Sequence, residues 1–354
     1  MNPEVRPRIL IIGCGGIGGL IAAHLLEDGR TVVHAVTRNV KHLAATAARG
    51  LEVRGEGTPR KVAGRAYPEP PEATYDYALL AVQPPEVEQV AREVAPRLGQ
   101  KGQIVVLQNG LCEERVARVL GSDEQVIGGI VSFGASNPEP GVYERTSPGG
   151  FVLGRMRPRG VTGGGGDPAL ARLADLVACV GPTRVTDNLA GARWSKLAIN
   201  CAISSLGTLA GVRLGTLVGD RTARNFALEI FTEVVEVARA LDVRLEKVSG
   251  TLNVDTIALD RNAATRRSLI VRHALIWAVG MKFRRMRSSM LAALERGRMP
   301  PVDFLNGEIV ERGARVGVPT PANAAVQRAI HALARGEGKP SFEALHRTWR
   351  EVRP

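Results

Sequence analysis

Three polar residues stand at four-residue spacing in the mostly apolar segment 194–204. They are Lys196, Asn200 and Ser204, and in a helix they would form one polar stripe. A lysine within an apolar, buried helix is costly unless it is paired or faces a wet cavity. The stripe is therefore predicted to line a cleft, and simple exposure to bulk solvent is an equally weighted alternative.

The choice of lysine at position 196 carries information of its own. The chain holds 7 lysines against 40 arginines. The pKa of an amine responds to its surroundings, whereas an arginine stays charged. An amine with a tunable pKa at this place, where arginine could not serve, therefore indicates proton chemistry.

A glycine-rich loop near the N-terminus indicates nucleotide binding. The apolar run 8–12 leads into Gly13, Cys14, Gly15, Gly16, Ile17 and Gly18, and a helical pattern follows. Glycines 13, 15 and 18 have GxGxxG spacing, and strand, spacing and helix agree. The loop is therefore predicted to receive a pyrophosphate at a helix N-terminus, in preference to serving as an ordinary tight turn.

The residue after the second predicted strand favours one form of the nicotinamide cofactor. This strand, residues 31–36, ends at Thr37 and Arg38. Sites that prefer NAD commonly place an acidic residue about 20 positions after the glycines, whereas Arg38 offers a cation there. Because Lys41 adds positive charge, we expect binding of NADP(H) and favour this over an incidental surface arginine.

Two further buried strands are predicted at residues 75–82 and 103–107, and Gln83 and Asn109 follow them. In open parallel sheets, ligands bind beyond the carboxyl ends of the strands, so both residues are binding candidates. Asn109 and Gly110 also form a common turn sequence, which is the alternative.

The order of elements predicts an α/β fold with two domains. Residues 1–187 are expected to form an N-terminal Rossmann doubly wound sheet, completed by antiparallel strands within 125–154. Residues 188–354 are expected to form an all-α C-terminal domain. Its helices are predicted at 220–241, 265–294 (as one helix or a broken pair), 303–313 and 322–334.

Over nearly its whole length the chain resembles the ketopantoate reductase (2-dehydropantoate 2-reductase) family. The matching motifs are the glycine loop and residues 107–110, 194–200, 288–291 and 302–307. The resemblance implies NADPH-dependent reduction of ketopantoate to pantoate, in pantothenate biosynthesis. It implies that Lys196 protonates the ketone oxygen, that Asn200 and Asn109 orient substrate and nicotinamide, that Ser289 binds the substrate carboxylate, and that Arg38 meets the 2′-phosphate.

Three positions depart from the family pattern. Gln83 stands where a lysine helps to hold the cofactor, and Ser204 stands where a second asparagine is frequent. Pro301 occupies the place of an acidic residue that assists catalysis and recognises the substrate hydroxyl. Asp303, close by, is predicted to be a helix N-cap. Reduction of a different 2-keto acid or an imine, and catalytically idle NADP(H) binding, therefore stay open as alternatives.

Composition limits the other classes of function. The net charge of +12 suits a nucleic-acid binder, but the arginines are scattered and aromatic residues make up only 4%, so anionic small ligands are favoured. The four cysteines lack CxxC spacing, so neither a disulfide framework nor a metal site is expected. We expect no signal peptide, no membrane span and a cytoplasmic location. The apolar segment 269–283 is interpreted as core or as the contact of a homodimer.

Overall fold

The computed structural model describes residues 6–157, 167–246, 253–261 and 266–353. Contacts divide the chain into two units. The first comprises Met1–Gln108 and Cys112–Leu189, and the second comprises Asn109–Leu111 and Ala190–Pro354. The second unit begins close to the predicted boundary, and the cofactor and substrate roles of the two units stay predictions.

The first unit combines strands and helices. Its strands are β1 (Arg8–Ile12), β2 (Val32–Val36), β3 (Leu51–Arg54), β4 (Arg60–Val62), β5 (Ala66–Tyr67), β6 (Tyr75–Leu80), β7 (Leu98–Val106), β8 (Val126–Val131), β9 (Gly134–Ser136), β10 (Val142–Ser147), β11 (Phe151–Gly154) and β12 (Thr183–Thr186). Its helices are α1 (Gly16–Asp28), α2 (Val40–Arg49), α3 (Val87–Val94), α4 (Cys112–Leu120) and α5 (Pro168–Val177), with short 3₁₀ turns at Pro84–Glu86 and Ala95–Arg97.

The main sheet has eight strands in the order β12-β11-β8-β7-β6-β1-β2-β5. Six neighbouring strands run parallel, namely β8, β7, β6, β1, β2 and β5. Strand β11 pairs antiparallel with β8. Strand β1 lies between β2 and β6, so the chain reverses its winding direction there. This doubly wound order confirms the predicted fold, and in sheets of this kind ligands bind beyond the carboxyl ends of the strands at such a reversal, here β1 and β6.

The expectation for residues 125–154 was wrong in part. Strand β8 extends the main sheet in parallel, because the preceding helix α4 makes a crossover connection. Strands β9 and β10 leave the main sheet and join β3 and β4 in a second sheet of order β4-β3-β10-β9. This sheet packs against α1, where a Cβ on Gly19 would lie 1.9 Å from the ring of buried Tyr143. Only glycine allows this approach.

The described part of the second unit is helical throughout. Its elements are α6 (Leu189–Ile199), a π-helical turn (Asn200–Ser204), α7 (Ser205–Ala210), α8 (Leu214–Gly219), α9 (Arg221–Ala240), α10 (Val254–Ile257), α11 (Arg266–Lys282), α12 (Ser289–Glu295), a 3₁₀ turn (Val302–Phe304), α13 (Asn306–Val316), α14 (Pro321–Ala334) and α15 (Phe342–Val352). The predicted helix at 265–294 is thus a broken pair.

The apolar segment of α11 is only partly core. Ile276 is buried, whereas Ile270, Val271, Leu275 and Trp277 are exposed. None of the helices in the described ranges combines the length and apolarity needed to cross a membrane. The same ranges contain no group of three or more His, Cys, Asp and Glu side chains that could hold a metal ion.

Candidate active site

The polar stripe lies where α6 gives way to the π-helical turn. Lys196, Asn200 and Ser204 are all half-buried, while their neighbours Trp194 and Leu197 are buried. Ser204 Oγ lies 3.4 Å from Asn200 Oδ1, so these two side chains do share a face. The expectation of one continuous α-helix was wrong from Asn200 onward, because the chain makes a wider turn there.

Asn200 has a buried side-chain hydrogen-bond donor. Its Nδ2 atom is shielded from solvent and has no hydrogen-bond partner among the described residues. A buried donor without a partner costs about 1–3 kcal/mol. Such an atom next to a half-buried lysine is what a site would show if a ligand oxygen completed it.

The glycine loop follows β1 and enters α1. Gly13 has φ of +104°, and a Cβ there would lie 2.7 Å from the carbonyl oxygen of Ala81. A Cβ on Gly18 would lie 1.9 Å from the carbonyl oxygen of Gly13. These two glycines are therefore required by the protein's own packing, which lets the loop run close against the end of β6.

Gly15 is different, because its surroundings are open. No described protein atom lies within 4 Å of a Cβ placed on it, and its φ of −75° suits any residue. Helix α1 starts at the next residue, with no side-chain cap and no acidic residue in its first turn. Its first N–H groups thus remain available to an anion, so this site fits the pyrophosphate of a dinucleotide.

The other members of the loop contribute through the backbone. Cys14 is 4% exposed, and burial raises the pKa of its thiol to about 12. Its Sγ lies 3.5 Å from the carbonyl oxygen of Val36, toward the protein interior. Gly16 lies against the backbone of Ala135, and Ile17 is half-buried. Cys14 is therefore a neutral thiol, and only its main chain can serve a ligand.

Arg38 follows β2 and is highly exposed. Its side chain is 75% exposed and forms an ion pair with Glu93, 3.3 Å from Nη2 to Oε2. A single exposed pair leaves most of the guanidinium available for a phosphate. Asn39 caps α2 by accepting from the N–H groups of Lys41 and His42, which fixes the start of the helix next to Arg38.

Gln83 and Gln108 lie near the carboxyl ends of neighbouring strands. Gln83 is exposed, and its backbone N–H donates to Glu86 Oε2 at 3.1 Å. Gln108 is buried, and its Nε2 donates to the carbonyl oxygens of Leu80 (2.9 Å) and Val82 (3.1 Å). Gln108 therefore holds the segment that leads to Gln83, a role that its polar side chain after an apolar strand would have indicated.

Asn109 is exposed and belongs by its contacts to the helical unit. The next residue, Gly110, has φ of +91°, and a Cβ there would lie 2.4 Å from the carbonyl oxygen of Phe304. The Asn109-Gly110 turn therefore packs on the 3₁₀ turn at Val302–Phe304. The structure thus joins two segments that the sequence shows far apart.

The two serines before Met290 differ in role. Ser288 caps α12 by accepting from the N–H groups of Met290 and Leu291, and its Oγ lies 2.8 Å from Thr208 Oγ1. Ser289 is the first residue of α12 and is exposed. Ser288 is thus occupied by structure, and Ser289 is accessible to a ligand.

The expectation for Asp303 was wrong. Asp303 does not cap the following helix, whose N-cap is Leu305. Its Oδ1 instead accepts from Gln327 Nε2 at 2.6 Å and lies 2.7 Å from His331 Nε2, both on α14. Two side chains of α14 thus contact the carboxylate, which the N-cap prediction had assigned to the backbone of the following helix. Asp303 is therefore bound to α14 through both of these side chains.

Two family models match the chain. One, described as ketopantoate reductase PanE/ApbA, matches residues 9–158, and the other, described as the C-terminal part of the same protein, matches residues 188–334. A 2-dehydropantoate 2-reductase of Pyrococcus horikoshii is 26% identical over 317 residues, covering 89% of this chain and 94% of that protein. One of Mesorhizobium japonicum is 27% identical over 349 residues, covering 92% and 98%.

Solved structures show the same fold. A PanE/ApbA family ketopantoate reductase from Ralstonia eutropha superposes with a TM-score of 0.75 at 24% identity, covering 93% of this chain and 99% of that one. A D-mandelate dehydrogenase in complex with NADH and anilino(oxo)acetate superposes with a TM-score of 0.76 at 19% identity, with the same coverages.

Proposed function

The chain belongs to the ketopantoate reductase family, a family of oxidoreductases that act on CH–OH groups, and from this premise we propose that it reduces a 2-keto acid with NADPH. The substrate that family membership favours is ketopantoate, with pantoate as product. The single observation that carries the proposal beyond membership is the buried Nδ2 of Asn200, one turn from Lys196, which has no hydrogen-bond partner in the described part of the chain.

The glycine loop and Arg38 support the choice of cofactor. The space beside Gly15 and the uncapped start of α1 suit a pyrophosphate, and the exposed guanidinium of Arg38 suits a 2′-phosphate. When bound, NADPH supplies a hydride to the carbonyl carbon of the keto acid. Gln83, at the end of β6, offers a neutral amide where the family has a lysine, so more of the phosphate recognition falls on Arg38.

Lys196 and Asn200 then act on the carbonyl oxygen. Hydride addition leaves negative charge on this oxygen, and Lys196 neutralises it by donating a proton. Asn200 Nδ2 donates a hydrogen bond that orients substrate or nicotinamide and has no competing partner within the described residues. Asn109 shares this orienting role, and the exposed hydroxyl of Ser289 binds the substrate carboxylate.

A reductase of another 2-keto acid, or of an imine, is the second candidate, and Pro301 is the observation that favours it. Proline offers neither a charge nor a side-chain acceptor for a substrate hydroxyl, and Asp303 is held by Gln327 and His331. Loss of this acceptor weakens recognition of ketopantoate while leaving hydride transfer intact.

One assay separates the candidates. NADPH oxidation is followed with ketopantoate and with simpler 2-keto acids that lack the hydroxyl, for the wild type and Pro301→Glu. A preference for ketopantoate in the wild type supports the first candidate. A preference for simpler keto acids, reversed toward ketopantoate by Pro301→Glu, supports the second. Tight NADPH binding without oxidation in any reaction would instead show a catalytically idle NADP(H)-binding protein.

A further inference from the structure

A chain of buried hydrogen bonds in the helical unit leads to the π-helical turn that carries Asn200. Its members are Glu233, which is 1% exposed, and Asn323, Asn306 and Ser205, which are fully buried. Burying polar groups is costly unless they are hydrogen-bonded. Their bonds to one another therefore decide how each side chain is oriented.

The chain begins at Glu233 on α9. Its Oε1 accepts from the N–H of Ala322 at 2.7 Å, and its Oε2 accepts from the N–H of Asn323 at 2.9 Å. These N–H groups belong to the first turn of α14, whose N-cap residue Thr320 makes no side-chain cap bond. The carboxylate of Glu233 therefore caps α14 from a different helix and favours the positive end of that helix.

This carboxylate sets the direction of every later bond. Asn323 Nδ2 donates to Glu233 Oε2 at 2.7 Å, so Asn323 Oδ1 turns toward Asn306 and accepts from its Nδ2 at 2.9 Å. Asn306 Oδ1 then accepts from Ser205 Oγ at 2.5 Å. Reversing either amide alone would place two donors or two acceptors face to face, so the carboxylate selects this arrangement.

The side-chain amide of Asn306 reaches the π-helical turn through both its nitrogen and its oxygen. Its Nδ2 also donates to the carbonyl oxygen of Cys201 at 3.2 Å, next to Asn200. Through its Oδ1 it holds Ser205, whose Oγ lies 3.4 Å from the carbonyl oxygen of Asn200. A π turn is rare and occurs mostly as a single turn within an α-helix. Here Asn306 bonds it from a different helix, α13.

We propose that Asn306 is a positioning residue, and that with Ser205, Asn323 and Glu233 it holds the π-helical turn so that Asn200 Nδ2, which has no partner among the described residues, stays available to a ligand. An unsatisfied buried donor would otherwise turn toward a protein acceptor, because doing so recovers hydrogen-bond energy. The role of Asn200 toward a ligand rests on the proposed function. The control of the turn by Asn306 does not.

Two variants interrupt this chain, and one control leaves it intact. Ser205→Ala removes the hydroxyl that bonds Asn306, with little change in volume. Asn306→Ala removes the contact to the turn entirely. Thr232→Val is the matched control, because Thr232 is fully buried beside Glu233 on α9 and bonds Leu228 O and Leu259 N, away from the turn. All three remove buried hydrogen bonds of similar kind.

The first measurement needs neither ligand nor activity. The side-chain amide signal of Asn200 is recorded by NMR in protein labelled with ¹⁵N-asparagine and assigned by its loss in Asn200→Asp. The proposal predicts that this signal shifts or broadens in Ser205→Ala and Asn306→Ala and is unchanged in Thr232→Val. An unchanged signal in both test variants would overturn the proposal.

The second measurement follows turnover well below the melting temperature of each variant. We expect kcat with NADPH and the preferred keto acid to fall about tenfold in Ser205→Ala, since small displacements of orienting groups have effects of this order or larger. In Ser205→Ala, the KM for NADPH should stay near the wild-type value. In Thr232→Val, kcat should stay near the wild-type value. Lowered melting temperature with wild-type kcat in Ser205→Ala and Asn306→Ala would show a purely structural role and refute the proposal.

The two measurements separate this proposal from the proposed function. If the wild-type protein fails to oxidise NADPH in the presence of every keto acid tested, the proposed function is wrong. The NMR comparison alone then decides whether Asn306 controls the turn. If wild-type protein is active and both test variants match the control in kcat and in the Asn200 signal, only the positioning role is wrong.

Discussion

At the level of residues, Lys196 and Asn200 have different tasks in the proposed carbonyl reduction. Lysine carries a transferable proton, whereas the asparagine amide supplies a fixed donor without a charge. The structure shows both as half-buried, with Asn200 Nδ2 lacking a partner in the described part of the chain. We therefore propose proton transfer for Lys196 and orientation for Asn200, and the two roles predict different kinetic effects.

Replacing Lys196 with alanine should lower kcat by a factor on the order of 10² to 10⁴, the usual contribution of a positioned general acid. NADPH oxidation under saturating keto acid measures this change. Lys196→Arg is the informative control, because it keeps the positive charge but does not release a proton near neutral pH. It should be nearly as slow as Lys196→Ala. Wild-type turnover in Lys196→Ala would exclude the assignment.

Replacing Arg38 with alanine should weaken NADPH more than NADH. Loss of a charge-assisted bond to the 2′-phosphate costs about 1.5–3 kcal/mol when shielded and less at an exposed residue, so we expect the KM for NADPH to rise about tenfold. The KM for NADH should change little. Arg49→Ala removes the same charge from the opposite end of α2 and serves as control. Equal changes in both KM values would contradict a phosphate-binding role.

The sequence was informative about these residues only where spacing is local. The four-residue spacing predicted correctly that Asn200 and Ser204 are adjacent. It did not predict the π-helical turn, because its support comes from Asn306, 105 residues after Cys201. The prediction that Asp303 is a helix N-cap was wrong for a similar reason, since its partners Gln327 and His331 lie on a later helix.

At the level of elements, the start of α1 is the main part of the proposed cofactor site. Gly13 and Gly18 are required by contacts with the protein itself, whereas Gly15 faces open space. The glycines of one motif thus serve two purposes. Substitution can separate packing from ligand binding.

Gly15→Ala should leave the fold intact and weaken cofactor binding. The new methyl group meets no described protein atom, and the backbone angles at Gly15 suit alanine, so the melting temperature should stay within a few degrees of wild type. The methyl group occupies the space expected for the pyrophosphate, so the Kd for NADPH should rise at least about tenfold, a cost near 1.4 kcal/mol. Gly219→Ala, also with open surroundings, is the control. Unchanged NADPH affinity in Gly15→Ala would place the cofactor elsewhere.

The burial of Glu233, which outweighs its capping bonds to α14, predicts a dependence of stability on pH. Burial raises the pKa of Glu233 from 4.5 to about 7, with a smaller contribution from Glu229. A carboxyl whose pKa is raised in the folded state stabilises the fold fully below pH 4.5 and loses this contribution as pH rises through 7. The difference should approach about 3 kcal/mol at most.

Denaturant unfolding of wild type and Glu233→Gln between pH 4.5 and pH 8 measures this effect. Glutamine does not titrate, so subtracting its curve isolates Glu233. The stability of wild type relative to Glu233→Gln should fall as pH rises. A relative stability that stays flat or increases with pH would show that the carboxyl keeps a low pKa in the folded protein.

At the level of the whole molecule, the order of elements was predictable and their pairing was less so. The parallel strands β1, β2, β6 and β7 and the helical second unit follow from alternating patterns and from the glycine loop. The direction of β8 and the separate sheet of β9 and β10 depend on long-range pairing, which local patterns do not encode. The net charge of +12 is consistent with the anionic cofactor and substrate proposed here.

In the proposed reaction, this chain transfers a hydride from NADPH to a 2-keto acid. The most direct test incubates the wild-type protein with NADPH deuterated at the transferable position and ketopantoate or a simpler 2-keto acid, and analyses the product by mass spectrometry. The expected product is a 2-hydroxy acid with one deuterium on the former carbonyl carbon. Its amount should equal that of the NADP⁺ released. Binding of NADPH without any deuterated hydroxy acid would contradict the proposed reaction.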